Sequence, residues 1–175
     1  PNFLVTTTHG KFVLKIHSSE EVSQIQIQQS ALAALEQVNK FHTPTTVPAN
    51  SGELLVDIGE GKFARMLTWI DGDLWSQSQD LGERHKSQLG RLIATVDSKL
   101  ATVDCTNFRT TLDQPFGWNA LQAKKLISDI ALIQDAELRA QVSTIFDRIS
   151  NRTLAKVLAL PHQLIHNDAN DNNVV

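Results

Sequence analysis

Strand-like apolar stretches flank one helical stripe in the first 70 residues, and apolar positions then fall at helical spacings as far as Pro161. Asn2–Thr8 and Lys11–His17 are rich in Phe, Val, Leu, Ile and Thr, with His9-Gly10 between them, and predict a β-hairpin. Within the second strand Phe12, Leu14 and Ile16 point one way, and Val13, Lys15 and His17 the other. Ser18 with Glu21 three residues on forms a capping box, opening a helix over Ser18–Phe41. Its apolar stripe is Val22, Ile25, Leu32, Leu35 and Val38. Gln28 lies on that stripe, where a buried amide needs a partner such as Lys15 or a backbone group. Thr43–Gly52, with two prolines, reads as a loop. Glu53–Ile58 and Lys62–Ile70, joined by Gly59-Glu60-Gly61, read as a second hairpin.

Asp71-Gly72 breaks the pattern. Leu81, His85, Leu89, Leu92, Ile93, Val96 and Leu100 then mark a helix on which His85 and Gly90 read as packing residues. Thr106–Phe116 is loop-like and Trp118–Ile133 helical. Asp135 caps a last long helix through Leu138, Val142, Phe146 and Ile149 that stops before Pro161. Trp69, Trp75 and Trp118 read as packing residues. The class expected is α+β, a sheet-rich segment over 1–70 followed by a mostly helical one over 71–175. The two hairpins belong in one antiparallel sheet, because a lone two-stranded hairpin is marginal in water.

Composition narrows the partners. Of the 175 residues, 41% are hydrophobic and 20% charged, and the net charge is -3. No Lys/Arg run stands out, so nucleic acid and anionic membrane are poor partners. The lone Cys105 rules out an internal disulfide, which fits a cytoplasmic location. No signal peptide or membrane-length apolar run is visible.

Candidate chemistry concentrates near the end, in Gln163-Leu164-Ile165-His166-Asn167-Asp168-Ala169-Asn170-Asp171-Asn172-Asn173-Val174-Val175. The apolar flanks read as two short buried strands and the polar run as the loop between them. His166, Asp168 and Asn173 are spaced HxDxxxxN. Phosphoryl transfer to a hydroxyl needs a carboxylate to accept the proton and an amide oxygen to help hold Mg²⁺. Three other readings stand beside it. Asn and Asp make polar turns without chemistry. Asp168, Asn170 and Asn172 at alternate positions resemble a calcium loop, although Asn173 occupies the sharp-turn Gly position. His166 and Asp168 could also serve a metal hydrolase, but no second His-rich cluster supports one.

The order of these elements resembles the aminoglycoside phosphotransferase and choline kinase family, which shares the two-lobed protein-kinase-like fold. Phe12-Val13-Leu14-Lys15-Ile16 is similar to the strand bearing the ATP lysine, and Leu67-Thr68-Trp69-Ile70-Asp71-Gly72 to the interlobe hinge. The run from Leu160-Pro161 through Asp171 is similar to the catalytic loop of hydroxylysine-kinase-type domains, including those joined to class III aminotransferases. The resemblance implies a small antiparallel-sheet N-terminal lobe and a mostly helical C-terminal lobe, incomplete at both ends. It implies ATP or GTP with Mg²⁺, and a small hydroxyl acceptor such as hydroxylysine or a related amino alcohol. Lys15 would meet the α/β-phosphates, with Val13 and Gln28 beside it, and backbone groups of Thr68, Trp69 and Ile70 would bond the adenine edge. Asp168 would be the catalytic base, His166 would hold the loop in shape, and Asn173 would ligate Mg²⁺.

Two departures qualify this assignment. Gln28 stands where many members carry a glutamate that pairs with the lysine. The chain also starts at Pro1 inside a strand and ends at Val175, before a second metal-binding Asp, so a fragment is expected. Such a fragment would be nearly inactive and would self-associate through its ends. A non-catalytic nucleotide-binding or interaction remnant and a calcium-binding loop protein are the alternative functions.

Overall fold

The computed structural model describes residues 1–79, 81–108 and 120–175. Two compact units are present: Pro1–Leu112 with Gln163–Val175, and Asp113–His162.

The first unit is built on one five-stranded antiparallel sheet, as the two hairpins predicted. β1 (Asn2–Thr7) pairs with β2 (Gly10–Ser18), and β2 pairs with β5 (Lys62–Thr68). The far edge of β5 is shared by β3 (Thr46–Val47) and β4 (Val56–Gly59). β3 lies inside the stretch read as loop. Two residues are too few to carry an alternation signal, and β3 exists because Leu67 and Met66 offer it a ladder. The second hairpin is shorter than expected: Glu53–Leu55 and Trp69-Ile70 lie outside the strands. Its turn runs through Gly59, Glu60 and Gly61 at φ +86, +53 and +67, a left-handed path that favours glycine on either side of Glu60. A bulge between Asp57 and Gly59 aligns the strands into it.

Ser18 ends β2 and begins the next element. Its N–H donates to Glu21 Oε2 at 2.8 Å, so the carboxylate caps the turn as the capping box predicted. One 3₁₀ turn (Ser19–Glu21) leads into helix α1 (Val22–Glu36). α1 stops short of Phe41, where the Val38 N–H turns to Leu35 O at 2.9 Å and tightens the last turn. Helix α2 (Glu83–Leu100) lies against it through Leu35, Val96 and Leu100, with Ala31, Phe41, Val103 and Leu164 around them. Each such buried aliphatic side chain contributes roughly 1.5–3 kcal/mol. His85 and Gly90 sit on the exposed side of α2, so neither is a packing residue.

In the second unit Ala120–Leu132 is wound as a 3₁₀ helix where an α-helix was expected. Asp135 Oδ1 accepts the N–H groups of Glu137 (2.9 Å) and Leu138 (3.0 Å), capping the helix Ala136–Arg148 as predicted. A π-turn over Ile149–Thr153 interrupts the expected continuous helix before Leu154–Leu158. Trp118 and part of the loop expected before it lie outside the described residues. Trp69 remains 41% exposed and bonds Asp71 through its indole N–H, so it is more than a packing residue. No described helix is long and apolar enough to cross a membrane.

Candidate active site

The polar run 166–173 is a loop, as predicted, but its apolar flanks are not strands. No neighbouring strand offers them a ladder, and Ile165 and Val175 stay about half exposed. The flanks are anchored in other ways. Leu164 packs against the α1–α2 cluster. Gln163 Nε2 donates to Asp97 O at 3.0 Å, and the His166 N–H lies 3.4 Å from Asp97 Oδ1. On the far side, the N–H groups of Trp75 and Ser76 donate to Val174 O (2.8 Å) and Asp171 O (2.9 Å). A Cβ on Gly72 would come within 3.3 Å of Val175 Cβ, so glycine permits this close approach. The loop is therefore held at both ends by segments remote in sequence.

Within the loop, His166, Asp168 and Asn173 come together. Asn167 turns the chain with φ +59, a conformation asparagine tolerates better than most residues. That turn brings the Asp168 N–H to His166 Nδ1 at 3.3 Å, leaving Nε2 as the proton-bearing nitrogen of the neutral ring. Asn170 Nδ2 donates to Asp168 Oδ1 at 2.7 Å. Asn173 Nδ2 donates to Asp168 Oδ2 at 2.8 Å and to Asp168 O at 2.9 Å. Each carboxylate oxygen thus takes one neutral amide and keeps lone-pair capacity, while Asp168 stays exposed. Because Asn173 turns its nitrogen to Asp168, its Oδ1 is the atom left for another partner. Asp168, Asn170 and Asn172 do not converge as a calcium loop would: Asn170 Oδ1 accepts the Asn172 N–H at 2.9 Å. No cluster of three or more His, Cys, Asp or Glu side chains among the described residues suits a metal. One hard oxygen on Asn173 nevertheless fits Mg²⁺, which takes few protein ligands and completes its shell with water and phosphate oxygens.

Lys15 lies on β2 directly across from Arg65 on β5, with Val13 across from Leu67 on the same face. Burial, and then the charge of Arg65, hold the Lys15 ammonium below the usual lysine range. Gln28 does not serve Lys15. Its Oε1 accepts from Arg65 Nη2, because a guanidinium on the neighbouring strand reaches the helix face instead. Among the described residues Lys15 makes no hydrogen bond or ion pair, and none joins it to the 166–173 loop. At the hinge the Thr68 N–H donates to Thr45 O (2.9 Å) and the Trp69 N–H to Lys11 O (3.2 Å), so only the Ile70 N–H of the three is without a partner among the described residues.

Two residues here were not singled out from the sequence. Arg65 is a cation inside the otherwise apolar run Phe63-Ala64-Arg65-Met66-Leu67, and that misfit was its signal. Asp97 carried none, because an acid on an exposed helix turn is ordinary.

A sheet-and-helix unit with a strand lysine and a fastened carboxylate–amide loop has the kinds of group that phosphoryl transfer uses. Over residues 1–175 the chain matches the APH family, described as the phosphotransferase enzyme family, and it belongs to that family. No curated protein and no solved structure matches the chain.

Proposed function

We propose that the chain carries the site of a small-molecule kinase, which moves the γ-phosphoryl of ATP or GTP to a hydroxyl. The acceptor favoured is hydroxylysine or a related amino alcohol, on the likeness of Leu160–Asp171 to hydroxylysine-kinase-type domains. In this reading residues 1–70 are the nucleotide-binding lobe of a two-lobed kinase-like fold and 71–175 the helical lobe, acting in the cytoplasm. The observation that carries it is the Asp168–Asn173 pair. Two amides fix the orientation of this exposed carboxylate, so it is placed to meet an incoming hydroxyl.

Asp168 then orients the acceptor hydroxyl and receives its proton. Asn170 and Asn173 fix the angle of the carboxylate, His166 holds the backbone of Asp168, and Lys15 offers its ammonium to the phosphate oxygens. Val13 shares the sheet face of Lys15, Gln28 holds Arg65 opposite it, and the Ile70 N–H is the donor that Thr68, Trp69 and Ile70 together leave for the adenine edge. Mg²⁺, when bound beside Asn173 Oδ1, supplies neutralisation of phosphate charge.

Turnover and nucleotide binding should be measured together, with Mg²⁺-ATP and a panel of hydroxylated amines. Asp168→Asn is expected to retain nucleotide affinity while turnover falls by about 100-fold or more. Equal turnover in Asp168→Asn would remove Asp168 from its role. Nucleotide binding without turnover in the unsubstituted chain would favour a non-catalytic nucleotide-binding module, the second reading.

A further inference from the structure

Arg65 is 5% exposed and stands directly across from Lys15, so two cations share one face of the sheet. Its Nε donates to His17 Nε2 at 3.3 Å and its Nη2 to Gln28 Oε1. Neither acceptor is a carboxylate. Nη1 is buried, and no atom among the described residues accepts its hydrogens. Glu21 is the acid whose charge reaches the guanidinium, but its oxygens are engaged by Ser18 and lie beside His17 Nδ1, and no ion pair joins it to Arg65. Ion pairs among the described residues lie elsewhere or involve that His17–Glu21 contact; none includes Lys15 or Arg65.

Like charges directly opposite one another destabilise a sheet. A buried donor without an acceptor adds a desolvation penalty. Both penalties vanish together if an anion sits between the cations. We propose that Arg65 and Lys15 form an oligophosphate site, with Arg65 Nη1 and Lys15 Nζ each donating to phosphate oxygens. Repulsion keeps the ammonium from settling on the sheet until the ligand arrives, and His17 and Gln28 hold the guanidinium in place. That the oligophosphate is the phosphate chain of a nucleotide rests on the kinase reading; the anion site itself does not.

The test is the thermal midpoint of the 175-residue chain in inorganic tripolyphosphate, without Mg²⁺ or acceptor, against sulfate at equal ionic strength. Tripolyphosphate should raise Tm by several degrees near saturation, and sulfate should not. Arg65→Met and Lys15→Met should each weaken tripolyphosphate binding by about 10-fold or more. Gln28→Glu keeps the side-chain shape and gives the guanidinium a carboxylate, so it should raise the ligand-free Tm and weaken binding likewise. It decides the question if Arg65→Met does not fold. Equal shifts in sulfate, or unchanged tripolyphosphate binding in Gln28→Glu, would overturn the proposal. Absent tripolyphosphate binding alongside intact phosphoryl transfer removes only the anion pair. Tripolyphosphate binding as expected, with no transfer to any hydroxyl, removes only the kinase reading.

Discussion

Glu21 joins β2 to α1 through one carboxylate. Chiefly the backbone N–H of Ser18, and then the side chains of His17 and Ser18, hold its carboxyl below the ordinary value of 4.5. A carboxyl depressed in the folded state stabilises the fold fully above its unfolded value, and that contribution is lost as pH falls through the folded one. Glu21→Gln keeps the capping geometry without the charge. Its Tm should start lower at neutral pH and fall less steeply with acid, so the two Tm–pH curves converge below the carboxylate range. Parallel curves would show that Glu21 contributes nothing through its charge. Lys15 works in the opposite pH range. Its depressed ammonium penalises the fold until pH rises through the folded value, and the penalty is gone above 10.5.

α2 both packs the core and carries the loop. Leu100 is 3% exposed in the cluster that receives Leu164, and Asp97 one turn earlier takes the bonds from Gln163 and His166. Leu100→Ala should cost about 2–5 kcal/mol in urea unfolding. It should also speed exchange of the Asn173 amide, which bonds Asn170 O at 3.0 Å inside the loop. Loss of stability with unchanged Asn173 protection would show that Leu164 does not anchor the site. The same helix carries an unused margin. A Cβ on Gly90 meets nothing within 4 Å, and the residue is exposed in a helix interior. Gly90→Ala should therefore raise stability by about 1 kcal/mol, visible as a higher urea midpoint at unchanged slope.

The sheet ends on β1, whose outer side faces no other described strand, and Phe3 and Leu4 there are 51% and 57% exposed. A free edge with apolar side chains recruits a further strand. Self-association through β1 is expected, and Leu4→Lys should shift the mass seen by light scattering towards the monomer. A monomer at every concentration without the substitution would rule this out. The pairing would extend the sheet beyond β1, leaving β2 and β5, with Lys15 and Arg65, in its interior.

Much of this molecule was legible in the linear order of its residues wherever the physics is local. Two-residue alternation marked the hairpins, and the Ser18–Glu21 and Asp135 caps needed only neighbours three residues away. The HxDxxxxN spacing alone marked His166, Asp168 and Asn173 as a group. What remained hidden depended on partners brought together by folding. Gln28 answers to Arg65, not Lys15, because strand register puts a guanidinium opposite the lysine, and register is a property of the pairing. The flanks of the loop look like strands by composition. Leu164 instead docks on helices and Val174 caps a turn, since a strand exists only where another offers its edge.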